Sequence, residues 1–362
     1  MREAPHRAGA SGRLTGYDAV STSLALRGDA ELRELVEAAV PLGTGIGGKS
    51  ARTDVAGTPV FVKRVPLTDL EQRPEHLRST ANVFGLPTFC QYGVGGPGFG
   101  AWREVAVHTM TTNWVLSGQF QGFPLMYHWR VLPDEAPTLA EELADVERAV
   151  AYWGGSAEVR HRIEALRESS ASVALFLEYV PWTLHAWLTD QVRAGGAALD
   201  RACSLVEEEL RAGTSFMNSR ELLHFDAHFE NVLTDGRRLY FADYGLALSS
   251  RFDLSPTETG FYDRHTGYDR CYTASYLVSW LVTALYGADW EIRGPLIRAL
   301  AEGQQPTGVP PGTAKILTRH APVAAVMTDF YRTIQEVSRT TPYPAERLRR
   351  LCPWQAGTER VG

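Results

Sequence analysis

Apolar residues recur along this chain with two different periods, and each period predicts a different kind of element. In residues 30–40, leucine and valine recur every three or four positions, which predicts an amphipathic helix. The short β-branched and aromatic run at residues 60–65 predicts a strand, and the turn at residues 56–59 joins it to a strand before it. The N-terminal part of the chain is therefore expected to form a helix followed by a β-hairpin.

The same two periods predict further helices and strands downstream. An amphipathic helix starts near Trp102 and continues to Val115, and a wholly apolar strand later runs into a turn at Pro181. Between them lie another strand and a charged, mostly helical insertion, and two helices follow the turn. The predicted segments are a strand at 123–132, the insertion at 134–170, the apolar strand at 173–181, and helices at 183–194 and 199–219.

One stretch is long and apolar enough to raise the question of a membrane span. Residues 271–288 form a run of 18 residues without Asp, Glu, Lys or Arg, close to the length that crosses a bilayer. Serine and threonine recur through it and charged residues flank it closely, so we interpret it as a helix buried among other helices. Residues 293–362 are expected to form terminal helices with a Gly-Pro linker at 308–312.

Composition and charge limit the classes of function. With 362 residues, 44% of them hydrophobic and 22% charged, the chain has the composition of a globular protein of one large or two medium domains. Its net charge of −6 argues against nucleic acid or an anionic membrane as a partner. The four cysteines form no CxxC pair and residues 1–12 contain no apolar secretory segment, so we expect a cytoplasmic protein without a zinc cluster or disulfide framework.

Candidate chemistry begins at a glycine-rich segment. Residues 43–50 read Gly-Thr-Gly-Ile-Gly-Gly-Lys-Ser, which satisfies both the GxGxxG and the GxxxxGK[ST] pattern. Either pattern lets backbone N–H groups approach phosphate oxygens, because glycine has no Cβ. The strand–turn–strand that follows favours a hairpin over a nucleotide, with Gly43, Gly45 and Gly48 as candidate binding residues. A P-loop that uses Lys49 needs a helix at this point and stays open as an alternative.

The strongest chemical pattern spans residues 224–245. His224, Asp226 and Asn231 follow the spacing HxDxxxxN, and Asp243-Tyr-Gly begins 12 residues after Asn231. A Thr-Asp-Gly turn between two apolar runs predicts a hairpin that brings Asn231 and Asp243 to adjoining strand ends. An ordinary hairpin, in which His224 and Asp226 only satisfy a turn, is the alternative.

These motifs, together with the glycine-rich segment and the lysine of the predicted strand, resemble those of the protein-kinase-like phosphotransferases. That superfamily includes eukaryotic-type protein kinases and aminoglycoside phosphotransferase-like enzymes, and the resemblance covers roughly residues 42–286. It implies an α+β, bilobal fold with a small antiparallel-sheet lobe containing one helix and a larger, mostly helical lobe. The implied domains are a mostly helical extension at 1–41, an N-lobe at 42–181 and a C-lobe at 182–362.

The resemblance also implies ATP and Mg²⁺ as cofactors and assigns roles to the motif residues. Asp226 would accept the proton of a hydroxyl group during phosphoryl transfer. Asn231 and Asp243 would supply the oxygens that hold Mg²⁺ against the nucleotide phosphates. Asp269, just before the apolar stretch, is expected to anchor the catalytic loop from below.

The remaining implied role belongs to a lysine, a residue type that is scarce in this chain. The chain contains three lysines among its 36 basic residues, and Lys63 lies inside the predicted strand at 60–65. By similarity, Lys63 would bind the α- and β-phosphates and pair with a glutamate from the helix of the small lobe. We favour Glu104, at the start of the helix near Trp102, over Glu71 and Glu75, although the interval from Lys63 is longer than usual in the family.

Two further segments resemble parts of that superfamily. The apolar strand at 173–181 resembles the hinge that binds the edge of the adenine, with Glu178 and Val180 as candidate contacts. Residues 249–268 are consistent with an activation or substrate segment, and the Ser-Pro-Thr-Glu run at 255–258 weakly resembles the APE element of protein kinases.

The expected acceptor is a hydroxyl group of a protein or of a small molecule. The Glu-Asn-Val-Leu run at 230–233 and the DYG motif resemble protein kinases, and on that basis we favour a protein Ser or Thr. His228 stands where protein kinases usually carry lysine and where aminoglycoside and choline kinase-like enzymes usually carry histidine; protonated, it would stabilise charge on the γ-phosphoryl group. The alternatives are a small-molecule kinase of that type, a non-catalytic nucleotide-binding pseudokinase, and a P-loop NTPase that uses Lys49, Ser50 and Asp243.

Overall fold

A computed structural model describes residues 10–45, 48–93 and 95–352. Within these residues, a small antiparallel sheet is combined with many helices, so the expected α+β class is confirmed. The helices are α1 (Ala10–Ala25), α2 (Asp29–Glu37), α3 (Asp69–Gln72), α4 (Ala101–Leu116), α5 (Glu141–Ala144), α6 (Val146–Tyr152), α7 (Ala157–Arg167), α8 (Leu184–Ala194), α9 (Gly196–Ser219), α10 (Pro256–Arg264), α11 (Tyr268–Tyr286), α12 (Trp290–Ala301), α13 (Pro311–Glu336) and α14 (Ala345–Leu351).

The strands form one main sheet and two small ones. Their bounds are β1 (Val40–Gly45), β2 (Gly48–Val55), β3 (Thr58–Leu67), β4 (Met126–Pro133), β5 (Ala171–Glu178), β6 (Trp182–Thr183), β7 (Leu222–Leu223), β8 (Val232–Thr234), β9 (Leu239–Phe241) and β10 (Leu248–Ser249). The main sheet has the antiparallel order β1-β2-β3-β5-β4, and the small sheets have the orders β6-β8-β9 and β10-β7. The hairpins expected at 56–59 and 234–236 are both present as β2–β3 and β8–β9.

Both faces of the main sheet are covered, which explains why β5 is buried along its whole length. On one face, Leu175 packs in a cluster with Trp102 of α4. On the other face, Phe176 belongs to the large core cluster that also contains Val20 of α1. A strand buried on both faces has no polar side to alternate with, and this is why the sequence shows an uninterrupted apolar run here.

The apolar stretch near residue 280 forms the buried helix that we expected. Helix α11 packs against α9, α12 and α13, and Leu277, Val278 and Leu281 are fully buried in it. Among the described residues, none of the helices has the length and hydropathy needed to cross a membrane.

Two predicted boundaries are wrong by a few residues. The helix predicted at 30–40 ends at Glu37, because Val40 already pairs with Arg52 in the sheet. The strand predicted from residue 123 begins at Met126, because the residues before it form a connector that turns towards α1. In both cases a tertiary contact determines where the element begins or ends, and the period of the sequence carries no information about that contact.

Two buried histidines make the stability of this fold depend on pH. His224 and His265 are buried, and both ring nitrogens of each form hydrogen bonds. Burial lowers the pKa of each side chain to about 4. In the unfolded chain the same groups bind a proton near their usual pKa of about 6.5. For these two groups the unfolded state therefore gains protons first, and they contribute a decrease in the free energy of unfolding as the pH falls from about 6.5 towards 4.

We expect His265→Gln to make this decrease shallower by up to about 1.4 kcal/mol per pH unit, the contribution of one titrating group. Urea unfolding of wild type and variant at about pH 7 and about pH 5.5 measures both slopes. The variant loses hydrogen bonds to Tyr92 and Phe261 and is less stable at every pH, so the slopes are compared and not the absolute values. Equal slopes would show that His265 does not titrate on unfolding.

Candidate functional site

A buried lysine joins three elements at the centre of the site. Lys63 lies in β3, Glu104 in the first turn of α4, and Asp243 shortly after β9. Lys63 Nζ lies 2.7 Å from Glu104 Oε1 and 3.0 Å from Asp243 Oδ2. Lys63 and Glu104 are both buried. The structure therefore pairs the lysine with Glu104, the partner that we favoured from sequence.

The Lys63 ammonium stabilises both carboxylates, and they stabilise the ammonium. Burial alone would lower the pKa of Lys63, but the carboxylates of Asp243 and Glu104 outweigh this effect and raise it. Burial also opposes ionisation of Asp243, yet the Lys63 ammonium brings the pKa of that carboxyl down to about 2. At neutral pH the ammonium therefore contacts two carboxylates, which leaves an excess of negative charge.

The two alternative partners of Lys63 lie elsewhere. Glu71 is buried; its Oε1 accepts the Ala101 backbone N–H at 3.1 Å and its Oε2 accepts Arg162 Nη1 at 2.7 Å. Glu71 thus satisfies an N–H group at the start of α4 and neutralises a buried arginine. Gly100 precedes α4 with φ 114°, and a Cβ there would lie 2.4 Å from Glu71 Oε1, so this position requires glycine. Glu75 is exposed.

Asp269 anchors the loop that carries His224 and Asp226, as expected. Its carboxylate oxygens accept the backbone N–H groups of His224 at 2.7 Å and Phe225 at 2.9 Å. Phe225 adopts φ 64°, a left-handed conformation. Such a conformation costs a non-glycine residue roughly 1–3 kcal/mol, which the anchoring bonds and the buried ring offset. Asp226 follows directly and lines a cavity.

Asp226, the candidate base, is held by Asn231 and lies near His228. Asn231 Nδ2 donates to the carbonyl oxygen and to Oδ2 of Asp226, both at 3.0 Å. His228 Nε2 lies 3.8 Å from Asp226 Oδ1. Burial raises the pKa of Asp226; His228 opposes this shift and Asp243 adds to it. A raised pKa suits a carboxylate that accepts a proton near neutral pH.

The β8–β9 hairpin brings Asn231 and Asp243 to adjoining strand ends. The Ala242 N–H donates to the Asn231 carbonyl at 3.0 Å, directly before Asp243. Asp243 adopts φ 61°, and the Gly245 N–H donates to Asp243 Oδ1 at 3.3 Å. The strained backbone of Asp243 is thus held from both sides of the residue, and its carboxylate is placed against Lys63.

Asn231 and Asp243 offer the oxygen ligands that Mg²⁺ prefers in proteins. Asn231 uses its amide nitrogen as a donor to Asp226, so its amide oxygen is the atom suited to a cation. In the described part of the chain, His, Cys, Asp and Glu form no group of three or more that could hold a metal ion. Two protein ligands are enough in nucleotide sites, because phosphates and water complete the coordination of Mg²⁺.

Two cavities meet at Asn231 and Asp243, which line both. The first has a volume of about 410 Å³ and the second about 530 Å³. Lys63 and the strand end Glu178–Val180 line the first cavity. The second is lined by Asp226, His228, the glycine-rich stretch 95–100 and residues 140–142. Two ligands bound in these cavities would meet at the Asn231 and Asp243 side chains.

The two predicted hinge residues have different surroundings. Val180 and Glu178 both line the first cavity, and their contact with a base stays a prediction. The Glu178 carboxylate, however, binds the Arg13 guanidinium of α1 and accepts the Leu125 N–H at 3.2 Å, while the Glu178 N–H donates to the Leu125 carbonyl at 2.7 Å. The Glu178 side chain is therefore engaged within the protein.

The glycine-rich segment is divided between β1 and β2, which pair as antiparallel neighbours. Gly43 and Gly45 lie in β1 and Gly48 begins β2, while residues 46 and 47 fall outside the described residues. Gly48 lines the first cavity and has φ 118°; a Cβ there would lie 2.0 Å from the Arg64 carbonyl oxygen. Lys49 lies within β2, whereas a P-loop lysine needs the start of a helix.

Sequence reasoning missed several buried arginines around the site. Arg103 is buried beside Glu104, and its Nη2 lies 2.6 Å from Glu258 Oε1. Glu258 belongs to the segment that weakly resembles an APE element. Arg13 and Arg162 form comparable buried contacts. The carboxylate partners of these arginines are between 91 and 165 residues away along the chain, so no local pattern could have indicated them.

We compared the chain with protein-family models and with curated protein sequences, and neither comparison finds a match.

Replacing Glu71 should destabilise the protein, because it leaves the buried Arg162 guanidinium without its carboxylate. We expect Glu71→Ala to lower the free energy of unfolding by roughly 3–5 kcal/mol. Glu75→Ala, at an exposed position nearby, is the matched control and should stay within about 0.5 kcal/mol of wild type. Urea unfolding of the three proteins measures both effects. Equal stability of the two variants would contradict the role assigned to Glu71.

Proposed function

We propose that this protein is a phosphotransferase of the protein-kinase-like superfamily, which transfers the γ-phosphoryl group of Mg-ATP to a hydroxyl group. The observation that carries the proposal is the contact of Lys63 Nζ with both Glu104 and Asp243 where two cavities meet. Each of these residues was selected for phosphate or metal chemistry from sequence, and the fold brings them together. An ion pair of purely structural value would have no need of cavities beside it.

The bilobal arrangement of that superfamily is part of the proposal. Three features support it: the antiparallel main sheet carries α4 on one face, the helices α8, α9 and α11 follow it in the chain, and the segment after β5 lines the first cavity. We propose a lobe boundary at residue 181 or 182, with residues 42–181 and 182–362 as the two lobes.

The first cavity suits the nucleotide. Phe61, Leu177 and Leu233 form apolar walls of this cavity. Val180 also lines it, and its backbone would contact the base. Lys63 lines the same cavity and supplies the positive charge that phosphates need. Gly48, the first residue of β2, lines the same cavity, and because it has no Cβ a phosphate could approach the backbone there.

The residues of the loop would perform the transfer. An acceptor oxygen forms a bond to the γ-phosphorus, the bond to the bridging oxygen of ADP breaks, and the acceptor proton moves to Asp226. Asn231 and Asp243 would hold Mg²⁺, which supplies neutralisation of the phosphate charge when bound. His228 lies next to Asp226 and, when protonated, would stabilise the charge on the transferred group.

The second cavity bears on the acceptor. Its volume of about 530 Å³ lies within the range of small-molecule sites, and inserted segments of the chain form part of its wall beside Asp226. This observation favours a small-molecule hydroxyl as the acceptor. A protein Ser or Thr, which the sequence motifs favour, stays a prediction.

The test is ADP release by the purified protein with Mg-ATP, alone and with a small-molecule extract, with intact mass recorded before and after. We expect Asp226→Asn to lower the rate at least about 100-fold, because the proton acceptor is lost. Lys63→Met should abolish turnover. Lys49→Met is the matched control and should retain the rate, since Lys49 lies in β2 away from the carboxylates.

Each outcome separates the alternatives. A gain of one phosphoryl mass by the wild type alone supports a protein hydroxyl, and turnover that needs the extract supports a small molecule. Nucleotide binding without turnover would leave the pseudokinase alternative. Loss of turnover in Lys49→Met with full turnover in Lys63→Met would support the P-loop NTPase and contradict the proposal.

A further inference from the structure

Helix α1 places one arginine behind the wall of the first cavity. The Arg13 side chain is 9% exposed, and its guanidinium forms five hydrogen bonds. All five acceptors lie on residues that are far from α1 in the sequence. They belong to two segments: Gln121 and Phe123 in the connector between α4 and β4, and Glu178 at the end of β5.

The geometry of these bonds is specific to arginine. Nε and Nη2 bind Glu178 Oε1 and Oε2 at 3.1 and 2.6 Å, which is a bidentate pair. Nη1 donates to the carbonyl oxygen of Gln121 at 3.1 Å and to its Oε1 at 2.9 Å. Nη2 also donates to the Phe123 carbonyl at 2.8 Å. A lysine could supply the charge but not this fork of donors.

The residues that follow these partners along the chain form the cavity wall. Pro124 follows Phe123, and Tyr179 and Val180 follow Glu178; all three line the first cavity. Glu178 also pairs with Leu125 through its backbone and its carboxylate. The guanidinium, which does not itself line the cavity, therefore holds two wall segments together.

Helix α1 is itself firmly attached to the protein. Val20 and Leu24 are fully buried, and the Tyr17 and Tyr127 rings lie 6.1 Å apart. The Arg13 guanidinium also lies 5.4 Å from the centre of the Tyr240 ring in β9, on the hairpin between Asn231 and Asp243. One side chain thus contacts the sheet, the connector and the hairpin at once.

We propose that Arg13 is a positioning residue for the nucleotide: it fixes the spacing of the connector and the end of β5, and thereby the wall against which the base binds. The nature of the ligand rests on the proposed function, whereas the fixed wall follows from the contacts themselves. Helix α1, which precedes the main sheet in the chain, then contributes a residue that positions the nucleotide site.

The experiment measures binding of a fluorescent ADP analogue with Mg²⁺ to full-length wild type, Arg13→Met and Arg13→Lys. We expect Arg13→Met to weaken binding at least about tenfold, because the wall loses its spacing at nearly constant side-chain volume. Arg13→Lys keeps the charge without the fork and should lie between the two. Val20→Ala, buried in the same helix and not among the residues that line the cavity, is the control for lost stability.

A second readout does not depend on the ligand. Hydrogen exchange of residues 121–125 and 178–181 should be faster in Arg13→Met than in wild type and unchanged in Val20→Ala. If Arg13→Met binds the nucleotide as wild type does, or if Val20→Ala weakens binding equally at equal loss of stability, the proposal is overturned. If the wild type binds no nucleotide, the proposed function fails, and hydrogen exchange alone decides whether Arg13 fixes the wall.

Discussion

The contact of the Lys63 ammonium with two carboxylates is the interaction on which the site depends. A buried ammonium is costly without partners, and here each partner comes from a different element, so β3, α4 and the segment after β9 must assemble together. Glu104, Asp243 and nearby Asp226 outnumber Lys63. The excess negative charge attracts cations, as the proposed binding of a nucleotide with Mg²⁺ requires.

Glu104 can contact Lys63 only if α4 is held at a fixed angle, and several contacts determine that angle. Glu71 accepts the backbone N–H of Ala101 at the start of the helix, and the face of α4 that carries Trp102 packs on the main sheet. One turn after Glu104, the His108 ring lies 4.7 Å from the ring of Tyr244, the residue next to Asp243. The segment of Asp243 and Tyr244 is therefore packed against α4, and a shift of either would separate Glu104 and Asp243 from the ammonium.

The sequence predicted what depends on local spacing. The helices and strands with clear periods are present, and Asn231 and Asp243 lie together because a short hairpin joins them. The partner of Lys63 was harder to predict, because Glu104 lies 41 residues away along the chain and two other glutamates lie nearer. The contact with Glu104 is seen only in the fold. The network of Arg13 was not predictable, because a periodic pattern shows which face of a helix is buried but not which residues cover it.

The buried pair of Arg103 and Glu258 also joins separate elements through buried charges, outside the site. Glu258 uses one carboxylate oxygen to cap α10 at Ser255 and the other to bind Arg103, which also donates to the Thr80 carbonyl at 2.8 Å. The Glu258 carboxylate thus connects α4 with α10, which lies in the segment that follows Asp243.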